Sequence, residues 1–218
     1  MPIINRKALN DPKRRKQIDK IVQTIKDPRR QKRFKGQLHD EHYWSVNGSS
    51  LETVDHAFGQ KLIPELNKLN SKCGETASAL DVGCGSAKAL FESARHFEHI
   101  VFSGVSREGY LRWMQEEFPE NLNLNHTNQK TFLKYLERTK KEFDLIFTHW
   151  GVKGDAIEKL NYIRSYARRL KKGGKFFISP SIYYSEWDIF LGDSFEISTR
   201  NTETTAGKNR FLVIKRVK

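Results

Sequence analysis

Residues 79–87 read ALDVGCGSA. Ala79, Leu80 and Val82 are apolar and enclose a single carboxylate, Asp81, before two glycines one residue apart, Gly83 and Gly85. An apolar run that ends in a glycine pair and a helix-forming stretch predicts a buried strand turning sharply into a helix. Glycine allows the dihedrals of such a turn and lets a ligand approach where a Cβ would block it. Lys88 stands where the dinucleotide fingerprint has its third glycine, so that pattern is not met. No Gly-Lys-Ser or Gly-Lys-Thr follows, which excludes a Walker phosphate loop. The stretch is the first strand and glycine loop of a nucleotide-type cofactor site in an α/β domain.

Working outward, the chain alternates strand and helix. A strand at 77–82 leads to a helix at 87–97, a strand at 100–105, a helix at 110–118 and a weak strand at 121–125. A helix near 130–139, a strand at 143–147, a long helix at 155–170 and a strand at 175–178 follow. Upstream, Phe58, Leu62, Leu66 and Leu69 form one apolar stripe and predict a single helix over 52–69. Strands separated by helices form a parallel sheet covered on both faces. Two further strands, 195–199 and 210–215, are joined by a linker at 200–209, too short for a crossover helix. They are expected to be antiparallel neighbours.

The 218 residues carry a formal net charge of +13, with 37% hydrophobic and 30% charged residues. The charge is uneven: residues 1–40 hold 13 Lys/Arg against four Asp. A surplus gathered in one segment reads as an interaction surface, and nucleic acid is the obvious polyanion. A protein or membrane-surface role and a plain solvated segment are the alternatives. Asp11-Pro12 is a helix start, and Ile18, Ile21, Val22 and Ile25 then share one face. Asp27-Pro28 stops this helix and can begin another. Arg14, Arg15, Lys16, Arg29, Arg30 and Arg33 are the candidate nucleic-acid contacts of this arm. Arg15-Lys16, twelve residues, then RRQKR at 29–33 also resembles a bipartite nuclear import signal. No apolar run is long enough to span a membrane, and Cys73 and Cys84 form neither a disulfide framework nor a zinc signature. An intracellular, cytoplasmic protein, with the nucleus as an alternative, is expected, with no metal.

LDVGCGSA resembles the first motif of class I S-adenosylmethionine-dependent methyltransferases, usually written LDVGCGTG. LKKGGKFFI at 170–178 is similar to the turn into that family's fifth strand, and FDLIFTHW at 143–150 to its fourth. The resemblance covers residues 52–217. It implies a three-layer α/β sandwich with a mostly parallel seven-stranded sheet, the last strand antiparallel, behind a basic helical extension. Residues 1–50 would be the arm and 51–218 the methyltransferase-like domain. It implies S-adenosyl-L-methionine as cofactor, with Asp81 near the methionine amino group and Gly83, Cys84 and Gly85 around methionine and ribose. Ser106 falls where the family places a ribose-gripping acid; Thr127 and Asn128 fall near the adenine, and Thr148 borders the pocket. Ala87 and Ser106 depart from the family pattern.

Methyl transfer is an in-line displacement that needs alignment and dryness, and a base only if the acceptor must lose a proton. His149, after the fourth strand, is the candidate base; capping of the strand end is its other reading. Trp150, Tyr43, Trp44 and Tyr183 are the candidate acceptor-binding aromatics, and core packing is the alternative for each. THWG is not the Asn/Asp-Pro-Pro-aromatic run of amine methylation, and no motif names the acceptor. A methyltransferase acting on RNA or another nucleic acid through the arm leads. A degenerate binding module of the same fold and a small-molecule methyltransferase are the other readings.

Overall fold

The computed structural model describes residues 49–72, 76–106, 119–126, 135–136, 139–149, 156–179, 191–204 and 207–218, with positions 16, 19–20, 23–24, 26–29 and 31–32 of the arm. Its elements are α1 (Leu51–Ala57), α2 (Leu62–Asn70), β1 (Ala77–Val82), α3 (Lys88–His96), β2 (Ile100–Ser106) and β3 (Leu122–His126). They are followed by β4 (Phe143–His149), α4 (Ala156–Ala167), β5 (Leu170–Ser179), β6 (Phe195–Thr204) and β7 (Gly207–Arg216). The seven strands form one sheet in the order β3-β2-β1-β4-β5-β7-β6. Neighbours from β3 to β5 pair in parallel, and β7 runs antiparallel to both β5 and β6.

Strand alternation divides the core between the two sheet faces. Ala79, Phe102, Leu145, Phe147, Phe177 and Phe211 pack under α1, α2 and α3. Leu80, Val82, Ile146, Phe176 and Ile178 pack with Ile163, Tyr166 and Ala167 of α4. Phe143 lies with the second group although it is two residues from Leu145. The register shift between Phe143 and Leu145 turns it over. Opposite that shift, Gly174 has carbonyls of Lys171, Asp144 and Phe143 at 2.9–3.0 Å from where a Cβ would sit. The LKKGG stretch is therefore a bulge inside β5, and β5 begins at Leu170 rather than at Lys175.

Two further expectations are corrected. The helix expected over 52–69 is two helices. Gly59 and Gln60 both take left-handed conformations, at φ 56° and 57°. Asp55 Oδ1 accepts the Ile63 amide at 2.9 Å and so restarts the helix. Pro64 then sits in the first turn of α2, where its missing N–H costs nothing. The second correction is at 200–209, where β6 and β7 continue to pair up to Thr204 opposite Gly207, a tight hairpin rather than a ten-residue linker.

The remaining elements agree with their periodicities. Ser50 caps α1 through the Thr53 amide, and Glu92 Oε2 of α3 accepts the Leu51 amide at 2.6 Å. In the arm, Asp27 Oδ1 accepts the Arg29 amide at 2.9 Å, and helical turns surround it as the Asp-Pro pair predicts. The helices expected at 110–118 and 130–139 lie wholly or largely outside the described residues. No helix among the described residues is long and apolar enough to cross a membrane.

Candidate functional site

The carboxyl ends of β2, β1 and β4 lie side by side, and the glycine loop leaves from the middle one. Gly83, Gly85 and Ala87 all adopt positive φ, at 82°, 57° and 57°. The loop is tied down from below: the Gly83 and Cys84 amides donate to the Val105 carbonyl at 2.7 and 3.2 Å. The Ala87 amide donates to Cys84 O at 2.8 Å, and Ala87 becomes the N-cap of α3. A left-handed alanine costs about 1 kcal/mol relative to glycine. Its methyl is wholly buried against the core, which returns a comparable amount. This is why alanine is accommodated where the family motif has glycine.

Two hydroxyls brace the loop from the flanking strands. Ser106, the last residue of β2, donates to Gly85 O at 3.1 Å. Thr148 of β4 donates to Val82 O at 2.8 Å. Both are nearly inaccessible. Neither bond is visible in the linear sequence, because each joins residues more than twenty positions apart.

Asp81 sits at the end of β1, between Gly104 and Phe147 in the two ladders. Burial pushes its carboxyl up to about 8. Among the described residues it meets no counter-charge, so it is neutral at pH 7 until a cation arrives. Ser86 Oγ is also buried, and it has no hydrogen-bond partner among the described residues. An orphaned hydroxyl and an uncompensated carboxyl beside a glycine turn fit a polar, cation-bearing ligand. Burial, reinforced by Asp81, pushes the Cys84 thiol well up, so it is no nucleophile at neutral pH. It packs at the core margin.

His149 is the last residue of β4, opposite Ser179 of β5, and half-buried. Desolvation lowers its pKa, so the imidazole is neutral at pH 7 and can accept a proton. Thus Asp81, Gly83, Cys84, Gly85, Ser106, Thr148 and His149 all gather at the carboxyl ends of the central strands β2, β1 and β4. Thr127, Asn128, Tyr43, Trp44, Trp150, Tyr183, Arg14, Arg15, Arg30 and Arg33 lie outside the described residues. Lys16 and Arg29 are exposed. Among the described residues no cluster of His, Cys, Asp and Glu could hold a metal ion. Sequence reasoning passed over Ser86; its position between Gly85 and Ala87 was the available signal.

No family model and no curated protein sequence matches the chain. Solved structures do. The N-methyltransferase NodS from Bradyrhizobium japonicum WM9, in complex with S-adenosyl-L-homocysteine, superposes with a TM-score of 0.54 at 14% identity, over 83% of this chain and 98% of that one. NodS in a second crystal structure gives a TM-score of 0.51 at 13% identity, over 75% of this chain and 99% of that one. A candidate O-methyltransferase from Klebsiella pneumoniae gives 0.54 at 13% identity, over 92% and 96%. This is the fold of the class I S-adenosylmethionine-dependent methyltransferases. Within the methyltransferase fold, the 3-2-1-4-5-7-6 strand order places the topological switch beside β1, where ligands of open α/β sheets bind.

Proposed function

We propose that the chain is an S-adenosylmethionine-dependent methyltransferase whose acceptor is RNA or another nucleic acid. One observation carries the first half: Asp81 is a buried carboxyl that meets no counter-charge among the described residues, at the mouth of a glycine turn in a methyltransferase fold. Such a carboxyl is a socket for the ammonium of a methionine moiety. NodS, with the same fold, holds S-adenosyl-L-homocysteine, which supports the same choice of ligand.

When bound, S-adenosylmethionine supplies an electrophilic methyl on a sulfonium that leaves as a neutral thioether. Asp81 would release its proton and pair with the ammonium. The Gly83–Gly85 backbone, pinned by Val105, Ser106 and Thr148, would hold the turn rigid, so alignment is set before the acceptor arrives. His149, neutral at pH 7, would take the proton an amine or hydroxyl acceptor loses. The nucleic-acid half rests on the arm, with 13 Lys/Arg against four Asp in residues 1–40.

Titration calorimetry with S-adenosylmethionine and S-adenosyl-L-homocysteine tests the enzyme reading. Binding of both is expected; no heat at millimolar ligand sinks it. A second reading, a binding module without turnover, draws on Ser106. Its hydroxyl donates to Gly85 O, and among the described residues the end of β2 offers no carboxylate to a ribose diol. Cofactor binding without methyl transfer to any RNA pool would favour that reading.

A further inference from the structure

A groove of about 740 Å³ lies between α2 and the strands β5, β7 and β6, and none of its lining residues belongs to the glycine loop. Its floor is apolar and closed. Phe177 and Phe211 stack with centroids 6.4 Å apart and planes at 13°, and both are nearly inaccessible. Among the described residues the groove leaves no open ring for a base to stack upon, so the chemistry lies in the walls.

Those walls carry five cations, Lys61, Lys68, Lys175, Arg200 and Lys215, against two carboxylates, Glu65 and Glu196. Lys175 pairs with Glu65, and Lys215 pairs with Glu196 at 3.1 Å. Lys61, Lys68 and Arg200 are exposed and make no ion pair among the described residues. The two lysines stand on the α2 wall and Arg200 on the β6 wall. Lys61, the N-cap of α2, and Lys68 within it stand seven residues apart, about 10 Å of rise. Arg200 lies four residues beyond Glu196 on β6, about 13 Å along the strand.

Spaced cations above a sealed apolar floor suit an extended polyanion with regularly repeated charge. The chain's own arm is a poor occupant, because residues 1–40 bring a surplus of positive charge. We infer that this groove is a second nucleic-acid contact, which holds the sugar-phosphate backbone of an RNA strand on Lys61, Lys68 and Arg200. The inference rests on the nucleic-acid reading of the acceptor for its choice of polyanion. It adds a track on the catalytic domain itself, independent of base sequence. It thereby separates a sequence-blind grip from the pocket that holds the methylated atom.

The test is fluorescence anisotropy of a labelled single-stranded RNA with full-length protein and with the triple variant Lys61→Ala, Lys68→Ala, Arg200→Ala. The three side chains are exposed, so an unchanged melting temperature is expected. Affinity should fall about 10-fold, and the slope of log K against log salt between about 50 and about 200 mM should become shallower by about 2, one step of ~0.7 for each phosphate that no longer meets a cation. Retention of affinity in Lys61→Arg, Lys68→Arg supports recognition by charge. Wild-type affinity and slope in the triple variant overturn the groove and leave the arm to bind the RNA. Wild-type protein that binds no RNA overturns the groove together with the nucleic-acid acceptor. Groove-dependent binding of poly-glutamate in preference to RNA also overturns it, and makes the surface a dock for an acidic protein.

Discussion

Ser106 Oγ, at the end of β2, donates to the carbonyl of Gly85 at 3.1 Å. The residue that the resemblance places near a ribose is here bonded to the glycine loop. The hydroxyl serves the protein's own backbone, and any ligand must find that loop already braced. Ser106→Ala is expected to cost about 1 kcal/mol in chemical denaturation, the net worth of one buried hydrogen bond. It should also weaken cofactor binding a few-fold. Unchanged stability would show that the brace is not needed.

If Asp81 receives the ammonium as proposed, cofactor binding should release a proton. Burial pushes its carboxyl up to about 8, so at pH 7 it would have to ionise to meet an ammonium. Calorimetry in buffers of different ionisation enthalpy should show close to one proton released at pH 7, and fewer as pH approaches the carboxyl's own value. Binding without proton release would separate Asp81 from the ammonium.

The same carboxyl sets a stability trend in the unliganded protein. Its folded pKa is raised, so the folded state binds more protons than the unfolded state between 3.8 and about 8. Its contribution is fully present below 3.8 and is lost as pH rises through about 8. Asp81→Asn should flatten this decline and gain about 1–3 kcal/mol at pH 9. Parallel pH–stability curves for the two proteins would refute the assignment.

For His149→Ala, turnover should fall at least about 100-fold with cofactor affinity retained. In the wild type, the acid limb of the rate profile should lie below the ordinary histidine value, because burial disfavours the imidazolium. Unchanged turnover on any accepted substrate would assign His149 to packing.

At the opposite end of the sheet, Asp144 Oδ2 accepts from Ser78 N at 2.8 Å, Ser78 Oγ at 3.1 Å and Lys171 Nζ at 2.8 Å. Burial raises the Asp144 pKa, but the bonds from Lys171 and Ser78 outweigh it and hold the carboxyl below its usual range. Its stabilisation is present above the unfolded carboxylate value and is lost as pH falls through the folded one. Asp144→Ala should cost about 1–2 kcal/mol, little of it from the partly exposed Lys171 ammonium, which solvent screens. Cofactor affinity should stay at the wild-type value; a change in it would tie this cluster to the site.

What the sequence determined by itself was whatever depends on neighbours along the chain. Strand-then-glycine at 79–87, helical stripes, the Asp27 cap and the alternation of elements are local or periodic, so the α/β class, the methyltransferase resemblance and the residues at the carboxyl ends of the central strands could be read from them. The break at Gly59-Gln60 was also local, but the single stripe from Phe58 to Leu69 masked it, because Phe58 is wholly buried even in the break. Only the tertiary structure decided the rest. It tied Ser106 to the glycine loop, raised the Asp81 carboxyl, and brought Lys61 and Lys68 into one groove with Arg200. Each of these depends on burial or on hydrogen bonds between residues distant in sequence. Free energies of that kind arise when water is excluded and strands are paired, and no window along the chain contains both partners.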